Sequence, residues 1–400
     1  MPGALDGIRI VEWAAYHAGP GAGGLLAALG AEVIKLEQPG TGDPARHLRT
    51  ILGVPNELPN GYHPFFEIFN RGKKSLTLDL KNPASHDILR RLVEKTDVFL
   101  ATFRPAAAKK LGVDYKRLRG WNEKLIYVSL TTFGPRGPDS ERPGFDSDGL
   151  GRAGMMFAMR DQADGPYAVR GLGDEMGSIS TAYAVLAALC ARERQGIGQQ
   201  VHTSILGGAI WVQATLIGMR LGSGHDVAPH NPQRPVSPID TRYEAGDGKW
   251  MNFAADQHWP AFCRAAGQPE LSDDPRYATA ELRRQHSAEL TAHFGALFAT
   301  RPRAEWLESY RRHDVPASPV NTHAELFDDP QVTANDYVVE YEHPRFGRIR
   351  NLGYAIQLEE TPANVTAPSP GLGQHTEEIL VDLLGYSKQD VEQLHAQEVI

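Results

Sequence analysis

The first 130 residues alternate strand-like and helix-like segments, and this alternation constrains the fold more than any other feature. Strands are predicted at residues 8–13, 31–36, 75–80, 97–100 and 125–130 from short apolar runs rich in branched side chains. Strands that alternate with helices form a parallel sheet covered on both faces. We therefore expect an α/β fold with a Rossmann-like large domain.

The length of 400 residues exceeds what one hydrophobic core usually supports, which predicts two lobes. We assign residues 1–220 to the first part of the large domain. Residues 221–240, rich in Gly, Pro, His and Asn, read as a linker, and residues 241–313 as a small α+β domain. Residues 314–400 are expected to link back and return to the large domain.

Composition excludes several classes of protein. The formal net charge of -8 argues against a nucleic-acid partner. Two cysteines are too few for a disulfide framework or a zinc cluster, and no histidine pair has metal-ligand spacing, so no metal is expected. No apolar run has the length of a membrane span and no signal segment precedes the first strand. We expect a cytoplasmic protein with no membrane partner.

The segment from Gly19 to Gly24 matches the spacing GxGxxG, with Glu37 after the second strand. This pattern is typical of NAD-dependent Rossmann oxidoreductases, which we keep as an alternative. Residues 14–18 separate the first strand from the glycines, and Pro20 lacks an amide for a pyrophosphate. The competing interpretation is that the glycines let a helix pack closely.

Asp174 lies in the glycine-flanked segment 171–177, directly before a helix predicted at 177–194. An aspartate there is usually an N-cap, but an unshielded carboxylate at a helix start can also attack an acyl carbon.

His17 follows the first strand, at the sheet edge where α/β proteins bind ligands. Cations near the third and fourth strands form either a solvated face or a phosphate pocket; they are Lys73, Lys74, Lys81, Arg104, Lys109 and Lys110.

Several segments in order along the chain resemble family III CoA-transferases of the CaiB/BaiF type, which include formyl-CoA transferases. The matching segments are LDGIRIVE at 5–12, AGP at 18–20, LGAEVIKLE at 29–37, GDPAR at 42–46, NRGKKSL at 70–76, FRP at 103–105, PGFD at 143–146, GD at 173–174 and GQHT at 373–376.

The resemblance implies a CoA-transferase that moves CoA from an acyl-CoA donor to a free carboxylic acid. It implies an interlocked homodimer and a nucleophile at Asp174, which forms an acyl anhydride and then an aspartyl-CoA thioester. His17 would be both catalytic and CoA-binding, with a neutral imidazole N–H aimed at the thioester oxygen. The positions implied to bind CoA are His17, Ala18, Leu78, Lys81, Thr102, Phe103, Arg104, Lys110, Arg142, Gly144 and Phe145.

Departures from the family pattern shape the substrate prediction. Formyl-CoA transferases carry glutamine, arginine and asparagine where this chain has His17, Gln38 and Thr102, so oxalate and formate are not expected. An α-methylacyl-CoA racemase of the same fold is an alternative, but Phe145 replaces the histidine that racemases use as a base. A CoA-binding scaffold without catalysis is a further alternative. Candidates for the acyl pocket are Tyr16, Trp211, Met219, Tyr243 and the loop at 38–64.

Overall fold

The computed structural model describes residues 2–161 and 165–400. The strands, in chain order, are β1 (Arg9–Trp13), β2 (Glu32–Glu37), β3 (Thr50–Ile51), β4 (Val54–Pro55), β5 (Lys74–Thr77), β6 (Val98–Ala101), β7 (Ile126–Thr131), β8 (Gln200–Ser204), β9 (Arg242–Glu244), β10 (Trp250–Phe253), β11 (Ala317–Val320), β12 (Val338–His343) and β13 (Gly347–Leu352).

The helices, in chain order, are α1 (Ala18–Ala28), α2 (Pro64–Asn70), α3 (Ser85–Glu94), α4 (Pro105–Lys110), α5 (Tyr115–Trp121), α6 (Asp146–Arg152), α7 (Met155–Ala158), α8 (Leu172–Gln195), α9 (Ile205–Trp211), α10 (Ala214–Ser223), α11 (Trp259–Ala265), α12 (Glu270–Asp273), α13 (Ala280–Gln285), α14 (Ser287–Phe298), α15 (Arg303–Arg312), α16 (His323–Leu326), α17 (Pro330–Ala334), α18 (Thr376–Glu378) and α19 (Lys388–Ala396). Short 3₁₀ turns lie at Pro44–His47 and Pro275–Tyr277, and a π-helical turn lies at Ile379–Leu383.

Six strands of the described chain form one parallel sheet in the order β5-β2-β1-β6-β7-β8. In the central strand, Ile10 pairs with Val33 on one side and with Val98 on the other. This arrangement confirms the predicted α/β fold with a parallel sheet.

Both faces of this sheet are buried. Successive side chains of a strand point to opposite faces, so neighbouring residues of one strand enter two different cores. Val11 of β1 packs into a core that includes Leu89 and Leu92 of α3. The next residue toward the N-terminus, Ile10, packs into a second core with Leu26 of α1 and Val185 of α8. Helices on both faces therefore keep the strands out of water and leave the strand ends free for a site.

The chain forms two compact units. The larger contains the described residues within Met1–Met156, Ala168–Ser223 and Ala334–Ile400, and the smaller those within Phe157–Tyr167 and Gly224–Thr333. The smaller unit has an antiparallel sheet in the order β11-β10-β9 and an aromatic core that includes Phe253, Phe298 and Tyr310. Whether these units correspond to the domains assigned from the sequence stays a prediction.

One local prediction differs from the structure. The helix predicted at 177–194 begins earlier, at Leu172, so that Asp174 lies inside its first turn rather than before it.

Among the described residues, no single helix has the length and hydropathy to cross a membrane, although the bent pair α9 and α10 passes that test when its two helices are taken together.

Candidate active site

The site lies where the carboxyl ends of three parallel strands meet the start of α8. Chain segments leave β1, β6 and β7 at this edge of the sheet, which is the usual ligand site of an open α/β fold. They line a cleft of about 320 Å³ within the larger unit. Its walls include the predicted residues His17, Ala18, Thr102, Phe103, Arg104, Arg142, Gly144, Phe145 and Asp174.

A second cleft of about 230 Å³ lies beside the first, and Ala15 and Phe103 line both. Leu78 and Lys81 contribute to this second cleft. Lys110, at the end of α4, is exposed and lines neither cleft. The two clefts therefore bring together every predicted site residue except Lys110.

The start of α8 is capped by Asp146, not by Asp174. The Asp146 carboxylate accepts the backbone amides of Gly171 at 2.8 Å, Gly173 at 2.7 Å and Asp174 at 3.2 Å. These amides have no partner inside the helix, so the Asp146 side chain satisfies them. A side chain at Gly173 would approach Asp146 Oδ1 to 2.8 Å and Ile205 to 2.9 Å, which explains the glycine. Asp174 is therefore released from the capping role that its position suggested.

The Asp174 carboxylate instead faces His17. The Nδ1 atom of His17 lies 3.4 Å from Oδ2 of Asp174, and its Nε2 atom lies 2.9 Å from Oε1 of Glu175. The imidazole ring packs on Phe69, with centroids 4.1 Å apart, and edge-on to Phe65 at 5.5 Å. Carboxylates on two sides and aromatic rings from α2 thus fix the position of the ring.

These neighbours also determine the charge of His17. Burial lowers the pKa of its imidazole, but the carboxylates of Asp174 and Glu175 outweigh burial and raise the pKa to about 9. The group is consequently an imidazolium at neutral pH, with each ring nitrogen next to a carboxylate. The neutral imidazole that the sequence predicted was wrong, because Glu175 was not among the predicted residues.

A buried ionic network holds the segment that precedes His17. Tyr16 has a positive φ of 64°, which is unfavourable for a side chain of this size, and its amide donates to Asp43 at 3.0 Å. Lys35 donates to the carbonyl of Ala14 at 2.9 Å and pairs with Asp43 at 2.8 Å and with Glu12 at 3.0 Å. The network therefore pins the backbone on both sides of Ala15.

Lys73 and Lys74, two of the six cations noted near the third and fourth strands, pair with carboxylates of the protein itself. Lys73 is buried and pairs with Glu12 at 2.7 Å. Burial lowers the pKa of Lys73 to about 8, against the opposing effect of Glu12. Lys74 pairs with Glu32 and Glu378 at the edge of the sheet. The charges of Lys73 and Lys74 are therefore compensated by carboxylates of the protein. The cations that line the two clefts are Lys81, Arg104 and Arg142.

The glycines of the GxGxxG segment lie inside α1 rather than in a loop. A side chain at Gly21 would come within 2.3 Å of Ser178 Oγ, and one at Gly23 within 1.9 Å of the Glu12 carboxylate. These glycines let α1 approach α8 and β1 closely, as the packing interpretation predicts. The same segment is thus used for packing rather than to cradle a pyrophosphate.

The candidates for the acyl pocket separate into two groups. Tyr16 lines the first cleft and lies edge-on to Phe145, with ring centroids 6.4 Å apart. Tyr243 is buried in the core of the smaller unit, where its hydroxyl donates to the Pro238 carbonyl at 2.6 Å. Its position agrees with core packing, which explains an aromatic residue in a strand as well as a pocket does.

The described residues contain no group of three or more His, Cys, Asp or Glu side chains placed to hold a metal ion. Sequence reasoning missed Asp146 and Glu175. Asp146 directly follows the predicted residue Phe145, and Glu175 directly follows Asp174, so the signal was an acidic residue next to each predicted position.

Comparison with known proteins places this geometry in a family. The model of CoA-transferase family III matches residues 5–376. The chain is 33% identical to the succinyl-CoA–D-citramalate CoA-transferase of Chloroflexus aurantiacus, over 100% of this chain and 98% of the relative. It is 32% identical to the succinate–glutarate CoA-transferase of Agrobacterium fabrum, over 95% of each. A crystal structure of a CaiB/BaiF family protein from Brucella suis superimposes with a TM-score of 0.83 at 29% identity, covering 96% of this chain and 100% of that protein. The chain is an enzyme that belongs to CoA-transferase family III.

Proposed function

We propose that this enzyme transfers CoA from an acyl-CoA to a free carboxylic acid by covalent catalysis on Asp174. The observation that carries the proposal is that Asp146, and not Asp174, caps the helix that presents Asp174. Asp146 caps α8, so the side chain of Asp174 is not used for capping and lines the wall of a cleft beside His17. A carboxylate that is ionised and not committed to backbone amides can act as a nucleophile.

The proposed reaction proceeds in two symmetrical halves. An Asp174 oxygen attacks the acyl carbon of the donor, the carbon–sulfur bond breaks and the CoA thiolate leaves. The thiolate then attacks the carbonyl carbon of Asp174, which expels the donor acid and leaves an aspartyl-CoA thioester. The acceptor carboxylate repeats the two steps in reverse order, so that the new acyl-CoA departs and Asp174 is regenerated.

CoA would lie along the two adjoining clefts. Ala18, Thr102, Gly144 and Phe145 line the first cleft near Asp174, and Leu78 and Lys81 line the second. Lys81, Arg104 and Arg142 would meet the phosphates, because charge-assisted hydrogen bonds suit phosphate oxygens. Lys110 would contact CoA from outside the clefts.

The same proposal includes an interlocked homodimer. Helices α8, α9 and α10 expose large apolar side chains, among them Tyr183, Trp211 at 79% exposed and Leu221 at 82% exposed. A second copy that covered these residues would remove that apolar surface from water. Sedimentation analysis of the wild type and of Trp211→Lys tests this, and a wild type that sediments as a monomer at micromolar concentration would contradict it.

One experiment separates transfer from racemisation on the same fold. Phe145 cannot exchange a proton, and it lines the cleft where a second base would be needed. The enzyme is incubated in deuterated water with a 2-methylacyl-CoA, with and without succinate as acceptor. We expect succinyl-CoA to form with the acceptor and no deuterium at the α-carbon without it. Rapid deuterium incorporation in the absence of an acceptor would contradict CoA transfer as the reaction.

The substrate screen should begin with dicarboxylic acids. The names of two relatives include succinate, citramalate and glutarate, so succinyl-CoA with five-carbon diacids forms the first panel. Simple monocarboxylic acids of the same length serve as the comparison.

A further inference from the structure

We propose that Glu175 is a positioning residue, which orients His17 so that the imidazolium lies against one oxygen of Asp174. His17 then stabilises the negative charge that this oxygen gains in the second step of the first half-reaction and in the first step of the second half-reaction. The inference rests on the proposed function of Asp174. It begins from a contact that the sequence did not reveal, the 2.9 Å hydrogen bond between His17 Nε2 and Glu175 Oε1.

The geometry makes the two oxygens of Asp174 unequal. His17 Nδ1 lies 3.4 Å from Oδ2, so Oδ2 is the oxygen next to the imidazolium, and Oδ1 keeps its lone pairs for attack. When Oδ1 bonds to the acyl carbon, Oδ2 becomes the carbonyl oxygen of the resulting anhydride. His17 therefore stands beside the protein's own carbonyl rather than beside that of the donor.

The second step then places negative charge next to His17. The CoA thiolate adds to the carbonyl carbon of Asp174, and the electron pair of the C=O bond moves onto Oδ2. The imidazolium stabilises that charge as an oxyanion-hole donor does. The intermediate collapses when the electron pair returns, the bond to the donor acid breaks, and the aspartyl-CoA thioester remains.

Glu175 makes this arrangement possible in two ways. Its hydrogen bond to Nε2 fixes the ring so that Nδ1 points at Asp174, and its charge helps to keep the ring protonated. The groups that face the ring are the carboxylates of Asp174 and Glu175 from α8 and the uncharged rings of Phe65 and Phe69 from α2. Glu175 is half-exposed, so we expect its effect to be moderate.

Glu175→Gln tests the inference, because glutamine keeps the size and the acceptor oxygen but removes the charge. We expect kcat to fall about 10-fold, the scale of one hydrogen bond to a charged group, with KM for acyl-CoA unchanged. The basic limb of the pH profile, which reports His17 with its pKa of about 9, should move to lower pH. A role in folding alone would not move that limb.

Rapid acid quench after mixing with acyl-CoA identifies the step. Free CoA should accumulate transiently in Glu175→Gln, because the first step releases it and the slowed second step consumes it. The CoA adduct on the Asp174 peptide should appear correspondingly later. Glu193→Gln, at an exposed glutamate near the other end of α8, is the matched control and should behave as the wild type.

The outcomes distinguish this inference from the proposed function. If wild-type enzyme forms no adduct on Asp174, the nucleophile is wrong and both fail. If the wild type forms the adduct, and Glu175→Gln forms it equally fast with an unshifted pH profile, only the role of Glu175 is overturned.

Discussion

Oδ1 of Asp146 lies 3.2 Å from the backbone nitrogen of Asp174, so one aspartate caps the helix from which the other presents its carboxylate. Removal of Asp146 leaves three amides at the start of α8 without an acceptor. We expect Asp146→Ala to lower the free energy of unfolding by about 1–3 kcal/mol and also to lower kcat, because the first turn that carries Asp174 loosens.

Denaturant unfolding and steady-state kinetics measure these two effects. Asp114→Ala removes another capping aspartate, which accepts from Arg117 at the start of α5, and should lower stability without lowering kcat. Equal losses of kcat in both variants would contradict a specific role for Asp146 at the site.

The Lys35–Asp43 ion pair is expected to support the site from the interior. Asp43→Ala removes a partner of a fully buried lysine and the acceptor of the Tyr16 amide. Breaking a buried pair from one side typically destabilises by about 3–5 kcal/mol, and Glu12 compensates part of this loss. We expect a large fall in thermal stability, and a fall in kcat measured well below the melting temperature. Unchanged kcat in folded Asp43→Ala would show that the network supports the fold alone.

The raised pKa of His17 predicts how stability depends on pH. Folding raises this pKa from 6.5 to about 9, so the folded state binds more protons between these values. The contribution is therefore fully present below pH 6.5 and is lost as the pH rises through about 9. We expect the difference in unfolding free energy between wild type and His17→Gln to shrink across this window. A difference that is constant or grows with pH would contradict the imidazolium.

His17 should also matter for the rate. Loss of a donor to a developing oxyanion lowers kcat by about two to three orders of magnitude, and we expect this of His17→Ala. His17→Gln should recover part of the rate because its amide can still donate. If His17→Ala raises only KM, the residue binds CoA and takes no part in catalysis.

The cations at the clefts should contribute to binding rather than to the chemical step. Lys81 lines the second cleft and Arg104 the first, where we expect each to meet the phosphates of CoA. We expect Lys81→Ala and Arg104→Ala each to raise KM for acyl-CoA by a few-fold, about 1 kcal/mol for an exposed ion pair, with kcat retained. Lys116→Ala, at an exposed lysine on α5, is the control. A large fall in kcat with unaltered KM would contradict a remote binding role.

Local apolar patterns predicted the sheet, whereas the resemblance to a family supplied most residues of the candidate site. Apolar strands such as Ile10–Val11 and the position of His17 after the first strand follow from order along the chain. The partners of His17 and Lys73 do not follow from that order. The tertiary fold brings Asp174 and Glu175 to His17, and it brings Glu12 to Lys73. A lysine that lines a cleft, such as Lys81, and a lysine that pairs with a buried glutamate, such as Lys73, look the same in the sequence.

The most direct measurement of the central claim is mass spectrometry of the enzyme quenched after addition of acyl-CoA without an acceptor acid. We predict a covalent CoA adduct on the peptide that contains Asp174, formed at a rate at least equal to turnover, and its absence in Asp174→Ala, which should also lose transfer while keeping its fold. An adduct on another residue, or transfer by Asp174→Ala at a comparable rate, would contradict the account.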